Sequence, residues 1–336
     1  MKKMLIVRPQ GPVGSPVYER SNAFYKYFKE SGFIVDIIDS PTSLIELLKL
    51  IKRIFLYRPA YLFITMPPFR NWSLCFLPFV KTILDIRDGW SIAMKSGYGG
   101  MVKPNNRKAL IARFIEYLAI KSSYMTITCT PGLKKYLRQL SNKEIYLVRN
   151  GISKCDFEIA QKYSSFEHQP TNQNEQYPIR KFVCAGKFSE YGQDKVKKVI
   201  SVINKRYGNR PCLIQLIGSD IEENKWIDGY LKKTNLSNIT IDFCGRVDKN
   251  EMYKLMSNAF CAVTIIRDPN YDFGTKIYDY LALGLNYLDY FDGDNEFNLF
   301  FREYSDLYEG KGRESLSIIR EDIITESDFS TFFKGK

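Results

Sequence analysis

The sequence predicts an α/β protein of two Rossmann-like halves, each a parallel sheet wrapped by helices, facing one another across a cleft. Three observations carry this prediction. Short apolar runs alternate with helix-period segments from end to end, the rhythm of a doubly wound sheet. That rhythm breaks once, over a polar stretch without period at 161–178, and then restarts. At 336 residues the chain is long enough to bury two full cores.

The elements follow in order. In the first half, strands are expected at 4–9, 33–38, 61–65, 82–86, 124–128 and 145–148. Helices are expected at 17–31, 42–56 and 107–121, with one more after Pro131. In the second half, strands are expected at 182–185, 213–217, 239–243, 259–266 and 285–290, with helices near 194–207, 221–234, 250–256 and 275–283. The expected division is a first domain at 1–160, a linker or flexible loop at 161–178, a second domain at 179–315 and a helical tail at 316–336. The glycine-rich stretch 89–104 reads as a mobile loop.

Composition narrows the function. Hydrophobic content of 45% and charged content of 26% are ordinary for a soluble globular protein. Seven cysteines stand singly with no CxxC pair, so buried reduced thiols and a cytosolic compartment are expected. The N-terminus runs straight into a strand and carries no signal-peptide pattern. The uncharged apolar run 71–80 is roughly half the length of a membrane span. His168 is the only histidine and lies in the polar linker, which argues against a His-dependent triad or a multi-His zinc site. No GxxxxGK[ST] is present, and Gly11-Pro12-Val13-Gly14-Ser15 lacks the GxGxxG spacing of a dinucleotide site.

Charge is uneven. Residues 1–160 hold 25 Lys/Arg against 11 Asp/Glu, a net +14, while the rest of the chain is close to neutral. Such a half suits an anionic partner: a membrane surface carrying anionic lipid, or nucleic acid. A solvated basic surface without a partner has the same composition. No nucleic-acid motif is present, so nucleic acid is not expected as a partner.

The most informative stretch is Gly274 to Gly284, set between the apolar runs 259–266 and 285–290. A helix opened by Gly274-Thr275-Lys276 aims backbone N–H groups, the helix dipole, a hydroxyl and an ammonium at one spot, which suits a phosphate. Asp279 lies four residues after Thr275, on the same face, where a carboxylate can accept hydrogen bonds from sugar hydroxyls. Phosphate plus ribose points to a nucleotide or nucleotide-sugar. An ordinary capped helix with a solvated Asp279 would show the same residues.

Phe273-Gly274-Thr275-Lys276-x-x-Asp279-Tyr280-x-Ala282-x-Gly284 resembles the donor-site signature of GT-B glycosyltransferases of the family 4 type, group 1 enzymes acting on lipid-linked or polysaccharide acceptors. The family usually has Glu where this chain has Asp279. Its first Glu aligns with Tyr271, with Asp272 next door. Other segments match in the same order. Cys184-Ala185-Gly186-Lys187 resembles the family's Gly-Arg, with Lys187 in the Arg position and Lys195 as the later diphosphate lysine. Lys195 would equally be an exposed helix-face lysine. Leu216-Ile217-Gly218 resembles a strand ending in Ile-Gly. Phe243-Cys244-Gly245-Arg246-Val247 resembles Phe-x-Gly-x-Val, which implies that Gly245, Arg246 and Val247 meet the base. In the first half, Asp85-Ile86-Arg87-Asp88-Gly89-Trp90 resembles the Asp-x-Arg-Asp-x-Trp of members acting on polyprenyl-linked sugars. It implies that Asp88 orients or deprotonates an acceptor hydroxyl; a surface ion-pair cluster of Asp85, Arg87 and Asp88 is the other reading. Gly14 falls in the loop that the family uses near the donor phosphate or acceptor.

The resemblance implies a retaining, metal-independent hexosyl- or N-acetylhexosaminyl-type transferase. Its substrates would be a nucleotide-sugar, UDP-linked in preference, and a glycan or lipid-linked acceptor. It would work at the inner face of a bacterial plasma membrane in surface polysaccharide synthesis, with no cofactor. Lys187 and Lys276 would serve the leaving diphosphate. Asp292-Gly293-Asp294 is a DxD, read here as an acidic turn rather than a metal site. Two alternatives stay open: a nucleotide-sugar epimerase on a GT-B-like fold, and a non-enzymatic polyanion-binding protein.

Overall fold

The computed structural model describes residues 1–12, 14–100, 103–164, 179–310 and 314–334. They form two compact units. The first combines Met1–Tyr98, Lys103–Ser153 and Ile319–Lys336; the second is built on Lys154–Ile318.

The first unit runs β1 (Lys3–Arg8), α1 (Pro16–Glu30), β2 (Ile34–Asp39), α2 (Leu44–Tyr57), β3 (Tyr61–Met66), a 3-10 segment (Phe69–Phe76) and β4 (Lys81–Ile86). It continues through α3 (Trp90–Gly100), α4 (Asn106–Ser122), β5 (Met125–Thr128), α5 (Pro131–Ser141) and β6 (Tyr146–Leu147). The helix starts are written locally. Ser15, Ser43, Asn105 and Thr130 each accept a backbone N–H three residues on, and Pro follows as the first helical residue in α1 and α5.

The strands form one parallel sheet in the order β2-β1-β3-β4-β5-β6. Side chains alternate between its faces, so successive residues of β1 feed different cores. Met4 and Ile6 join Phe24 and Phe28 of α1. Leu5 and Val7 join Leu50 and Ile54 of α2, Leu74, and Ala119 and Ile120 of α4. Across the first core, the fully buried Arg20 of α1 reaches Asp85 of β4 with two hydrogen bonds, Nε–Oδ2 at 3.0 Å and Nη2–Oδ1 at 2.9 Å.

Residues 90–100 are helical, which corrects the expectation of a mobile loop there. The start of α3 is held from outside: the Glu116 carboxylate accepts the N–H groups of Trp90 at 2.5 Å and Ser91 at 3.3 Å, and the Ser91 hydroxyl at 2.5 Å.

The second unit contains α6 (Lys154–Ser164), β7 (Arg180–Ala185), α7 (Gln193–Tyr207), β8 (Cys212–Ile217), α8 (Ile221–Asn224) and α9 (Trp226–Lys233). After these come β9 (Ile239–Gly245), α10 (Lys249–Ser257), β10 (Cys261–Ala262), α11 (Lys276–Ala282) and α12 (Glu296–Phe301). The expected boundary at 160 falls inside α6. That helix is tied to this unit, with Gln161 Nε2 donating to the Ala282 carbonyl at 2.8 Å and the Tyr163 hydroxyl to Asn250 at 3.0 Å. The rest of the expected linker, 165–178 with His168, lies outside the described residues.

The sheet order is β10-β7-β8-β9, again all parallel. The expected strand at 259–266 is a ladder only at Cys261–Ala262, and the one at 285–290 reduces to isolated bridges at Tyr287. One reason is visible: the Val263 carbonyl accepts the Tyr280 hydroxyl at 3.2 Å instead of a strand partner.

The chain then returns to the first unit as α13 (Arg320–Glu326) and α14 (Asp328–Thr331). Phe329 meets Phe24 edge-on at 5.7 Å, Phe333 meets Phe28 at 5.3 Å, and Arg320 N–H donates to the Ile152 carbonyl at 2.8 Å.

Candidate functional site

The predicted site residues of the second unit gather at the carboxyl edge of its sheet, where ligands of doubly wound folds bind. Strands β7, β8 and β9 each end in a glycine turn with positive φ: Gly186 at +94°, Gly218 at +77° and Gly245 at +59°. These turns stay in register with one another. Gly186 N–H donates to the Ile217 carbonyl at 2.7 Å, Gly218 N–H donates to the Gly245 carbonyl at 2.5 Å, and the Ser219 hydroxyl donates to the Gly186 carbonyl. A Cβ on any of the three would meet nothing within 4 Å, so the backbone turn and not crowding selects glycine. The sheet therefore ends in an open ledge of peptide groups. Lys187 stands exposed beside it, its ammonium 5.4 Å from the Tyr191 ring centroid, and Arg246 and Val247 are exposed where β9 ends.

The segment 272–280 forms the neighbouring wall. Gly274 has φ +64°, and a Cβ there would press on Ile266 at 3.2 Å. Thr275 is the N-cap of α11, and its hydroxyl makes no capping bond to the helix. Phe273 is buried against Phe297 and Phe301, at centroid distances of 5.6 and 5.4 Å.

The acidic residues are more engaged than the sequence suggests. Asp279 pairs with Lys276 at 3.1 Å and accepts the Tyr253 hydroxyl at 2.6 Å, so its carboxylate is oriented rather than solvated. Asp272 pairs with Arg267 at 3.0 Å and accepts the Gly274 N–H at 3.0 Å. Lys195 is not an exposed helix lysine. Its ammonium donates to the Ile266 and Arg267 carbonyls at 2.9 and 2.8 Å. Burial and Arg267 pull its pKa down, opposed by Asp268 and Asp272.

Tyr280 joins the two walls. Its fully buried hydroxyl accepts the Ala185 N–H at 2.8 Å, one residue before the Gly186 turn, while donating to Val263. Sequence reading recognised Tyr280 only as part of a motif and missed Tyr253. A tyrosine hydroxyl whose partner lies 95 or 26 residues away leaves no local signal.

In the first unit, Gly14 (φ +84°) follows β1 and a half-buried Asp88 follows β4, so both lie at the carboxyl edge of that sheet, separated there by β3. The expected alternative, a surface cluster of Asp85, Arg87 and Asp88, fails for Asp85, which is wholly buried on Arg20. Arg20 also donates to the Arg149 carbonyl at 3.3 Å and to Asn150 Oδ1 at 3.2 Å, so it ties the ends of β4 and β6 together.

Glu116 was missed. Its signal was present: Ala109, Ala112, Glu116 and Ala119 share one helical stripe, and that stripe is buried. Desolvation pushes the Glu116 carboxyl above its ordinary value, against the hydrogen bonds from Ser91 and Trp90.

Among the described residues, no group of three His, Cys, Asp or Glu could hold a metal ion. Asp292 of the acidic turn pairs with Lys198. No described helix is long and apolar enough to cross a membrane.

No protein-family model and no curated protein matches the sequence. Solved structures do. Sucrose-phosphate synthase from Thermosynechococcus elongatus superposes with a TM-score of 0.59 at 11% identity, over 86% of this chain and 81% of that one. Anabaena HepE, solved with UDP and glucose, gives 0.56 at 10% identity over 99% and 89%. The lipopolysaccharide outer core galactosyltransferase WaaB gives 0.56 at 11% identity over 86% and 80%. Likeness at this level establishes the fold: two Rossmann-like units of the GT-B class.

Proposed function

We propose that the protein is a glycosyltransferase that moves a sugar from a nucleotide-sugar, UDP-linked in preference, to a glycan or polyprenyl-linked acceptor in bacterial surface polysaccharide synthesis. The observation that carries this reading is the edge of the second sheet. Three glycine turns line it with the exposed Lys187 beside them, and the uncapped Thr275 and Lys276 stand on the neighbouring wall, in a fold shared with glycosyltransferases.

The chemistry follows from the residues. When the bond from the anomeric carbon to the diphosphate breaks, negative charge grows on the leaving oxygens. Lys187 and Lys276, with the Thr275 end of α11, meet that charge, as electrostatic catalysis of a leaving diphosphate requires. Asp279, held by Tyr253, receives the ribose hydroxyls. Gly245, Arg246 and Val247 receive the base, and Asp272 faces the transferred sugar. Lys195 acts one step back, holding the 266–267 carbonyls and hence the loop that carries Asp272. Asp88 in the first unit orients the acceptor hydroxyl or takes its proton, and Gly14 opens the same sheet edge on the far side of β3. The anomeric configuration is retained, and no metal is required, because the chain supplies the positive charge itself. The +14 of residues 1–160 suits work at the anionic inner face of the plasma membrane.

The deciding experiment is a thermal-shift screen of UDP-, GDP-, CMP- and dTDP-sugars. A ligand at about 100 times its Kd adds about 2.7 kcal/mol. A UDP-sugar is expected to raise the Tm most, and no shift with any donor overturns the reading. Transfer is expected to survive EDTA and the Asp292→Ala exchange. Loss of turnover in EDTA, restored by manganese, would refute the metal-free mechanism.

A further inference from the structure

Two helices of the first unit are apolar on the side turned away from their sheet. In α2, Leu44, Ile45, Leu48 and Leu56 are 59% to 70% exposed, while Leu50 and Ile54 already supply the packing stripe against the sheet. In α4, Leu110, Ile111 and Phe114 are 61% to 67% exposed, while Ala109, Ala112 and Ala119 face inward. A helix that only packs on a sheet needs one apolar stripe. These two have a second.

The two outer faces belong to one layer. Leu50 and Ile54 of α2 and Ala119 and Ile120 of α4 share a core on the same sheet face, with Leu5, Val7, Leu62 and Ile64. The gap between the helices is also apolar. The 3-10 segment packs on α4, and Phe55 of α2 meets Phe79 edge-on at 5.7 Å, with both rings about half exposed. An exposed patch running over two helices and the turn between them marks an interaction surface.

The charges around it select the occupant. Lys49, Lys52, Lys103, Arg107, Lys108 and Arg113 are all exposed on or beside these helices, and none forms a salt bridge among the described residues. The acids of the two helices are fewer: the exposed Glu46, held by the Thr42 N–H at 2.6 Å, and the buried Glu116. Protein interfaces are depleted of lysine, whereas an apolar surface rimmed by unpaired Lys and Arg fits the boundary between acyl chains and anionic headgroups.

We propose that the outer face of α2, the 76–79 turn and α4 docks on an anionic lipid bilayer, with the leucines, isoleucines and phenylalanines entering the acyl boundary and the basic residues resting on the headgroups. This deepens the reading of a peripheral membrane enzyme and rests on it, by assigning the contact to particular helices.

The test is co-sedimentation of the full chain with vesicles of phosphatidylcholine alone, or of equal parts phosphatidylcholine and phosphatidylglycerol. The protein is expected to bind the mixed vesicles and to leave them as salt rises. Ile45→Glu with Leu48→Glu, and Ile111→Glu with Phe114→Glu, are each expected to weaken binding at least about tenfold, since a carboxylate must then enter the interface. Lys49→Gln with Lys52→Gln is expected to weaken binding to the mixed vesicles by about fivefold per charge removed. The thermal shift given by a UDP-sugar should be unchanged in all three variants, which separates failure of this docking face from failure of the proposed transferase. Absence of binding by the parent, or full binding by the glutamate variants, overturns the proposal. So does a parent dimer, seen by sedimentation velocity, that the glutamate variants convert to monomer with no change in vesicle binding, because a second copy would then be the occupant.

Discussion

Arg20 and Asp85 form a two-bond ion pair with side-chain exposures of 1% and 0%, the most deeply buried charge pair among the described residues. Removing one partner strands the other in the core and is expected to cost about 3–5 kcal/mol. Asp85→Asn and Arg20→Met should each lower the Tm of the first unit sharply. The double replacement Arg20→Met with Asp85→Leu should recover much of the loss, since no lone charge then remains. Single variants as stable as the parent would show that the pair contributes nothing.

The Tyr280 hydroxyl links the end of β7 to the α11 wall. Tyr280→Phe leaves the Ala185 N–H and Val263 carbonyl without that partner, a cost of about 1–3 kcal/mol for an unsatisfied buried group. Donor affinity should fall with stability, because the Gly186–Lys187 turn loses its support. A variant that is less stable but binds UDP-sugar as tightly as the parent would confine Tyr280 to a structural role.

Asp279 and Lys276 are expected to separate binding from chemistry. Asp279→Asn keeps the Tyr253 contact but removes the negative charge, and should weaken donor binding with little change in fold. Lys276→Ala should lower kcat more than it raises KM, if the ammonium meets charge that develops only as the diphosphate leaves. Steady-state kinetics with a purified lipid-linked acceptor tests both. Equal changes in kcat and KM for the two variants would remove the distinction.

Glu116 gives a pH signature. Its native pKa is raised by burial above the ordinary 4.5, so the folded state holds the proton more tightly than the unfolded chain. The stability this gives is complete below the ordinary value and is lost as pH rises through the native one. Glu116→Gln, which stays neutral, should flatten that part of the stability–pH curve. Chemical denaturation of both proteins across this range checks it, and identical slopes would contradict the burial argument.

The alternation of strand and helix was legible because each element is written locally, in apolar period and in the caps Ser15, Ser43, Asn105 and Thr130. What was illegible depends on distant partners. Residues 90–100 look like a glycine-rich loop until Glu116 is seen at their first turn. The run 259–266 has strand composition throughout, but Tyr280 takes one of its carbonyls. The same holds at the site. The glycine turns, Lys187 and the 274–279 segment could be read from motif and spacing. The occupation of Lys195 by two carbonyls, and of Asp279 by Tyr253, is a matter of tertiary placement.

The return of α13 and α14 to the first unit has a consequence for synthesis. Chain emerging from the ribosome presents β1 through β6 early, yet Phe329 and Phe333, which close the core around Phe24 and Phe28, follow only after residue 318. The whole of Lys154–Ile318, which makes up nearly all of the second compact unit, must be made in between. The first unit therefore keeps an aromatic gap open to solvent while the second is being made. A stop codon before residue 319 would damage the half of the protein made first and leave the half made later intact.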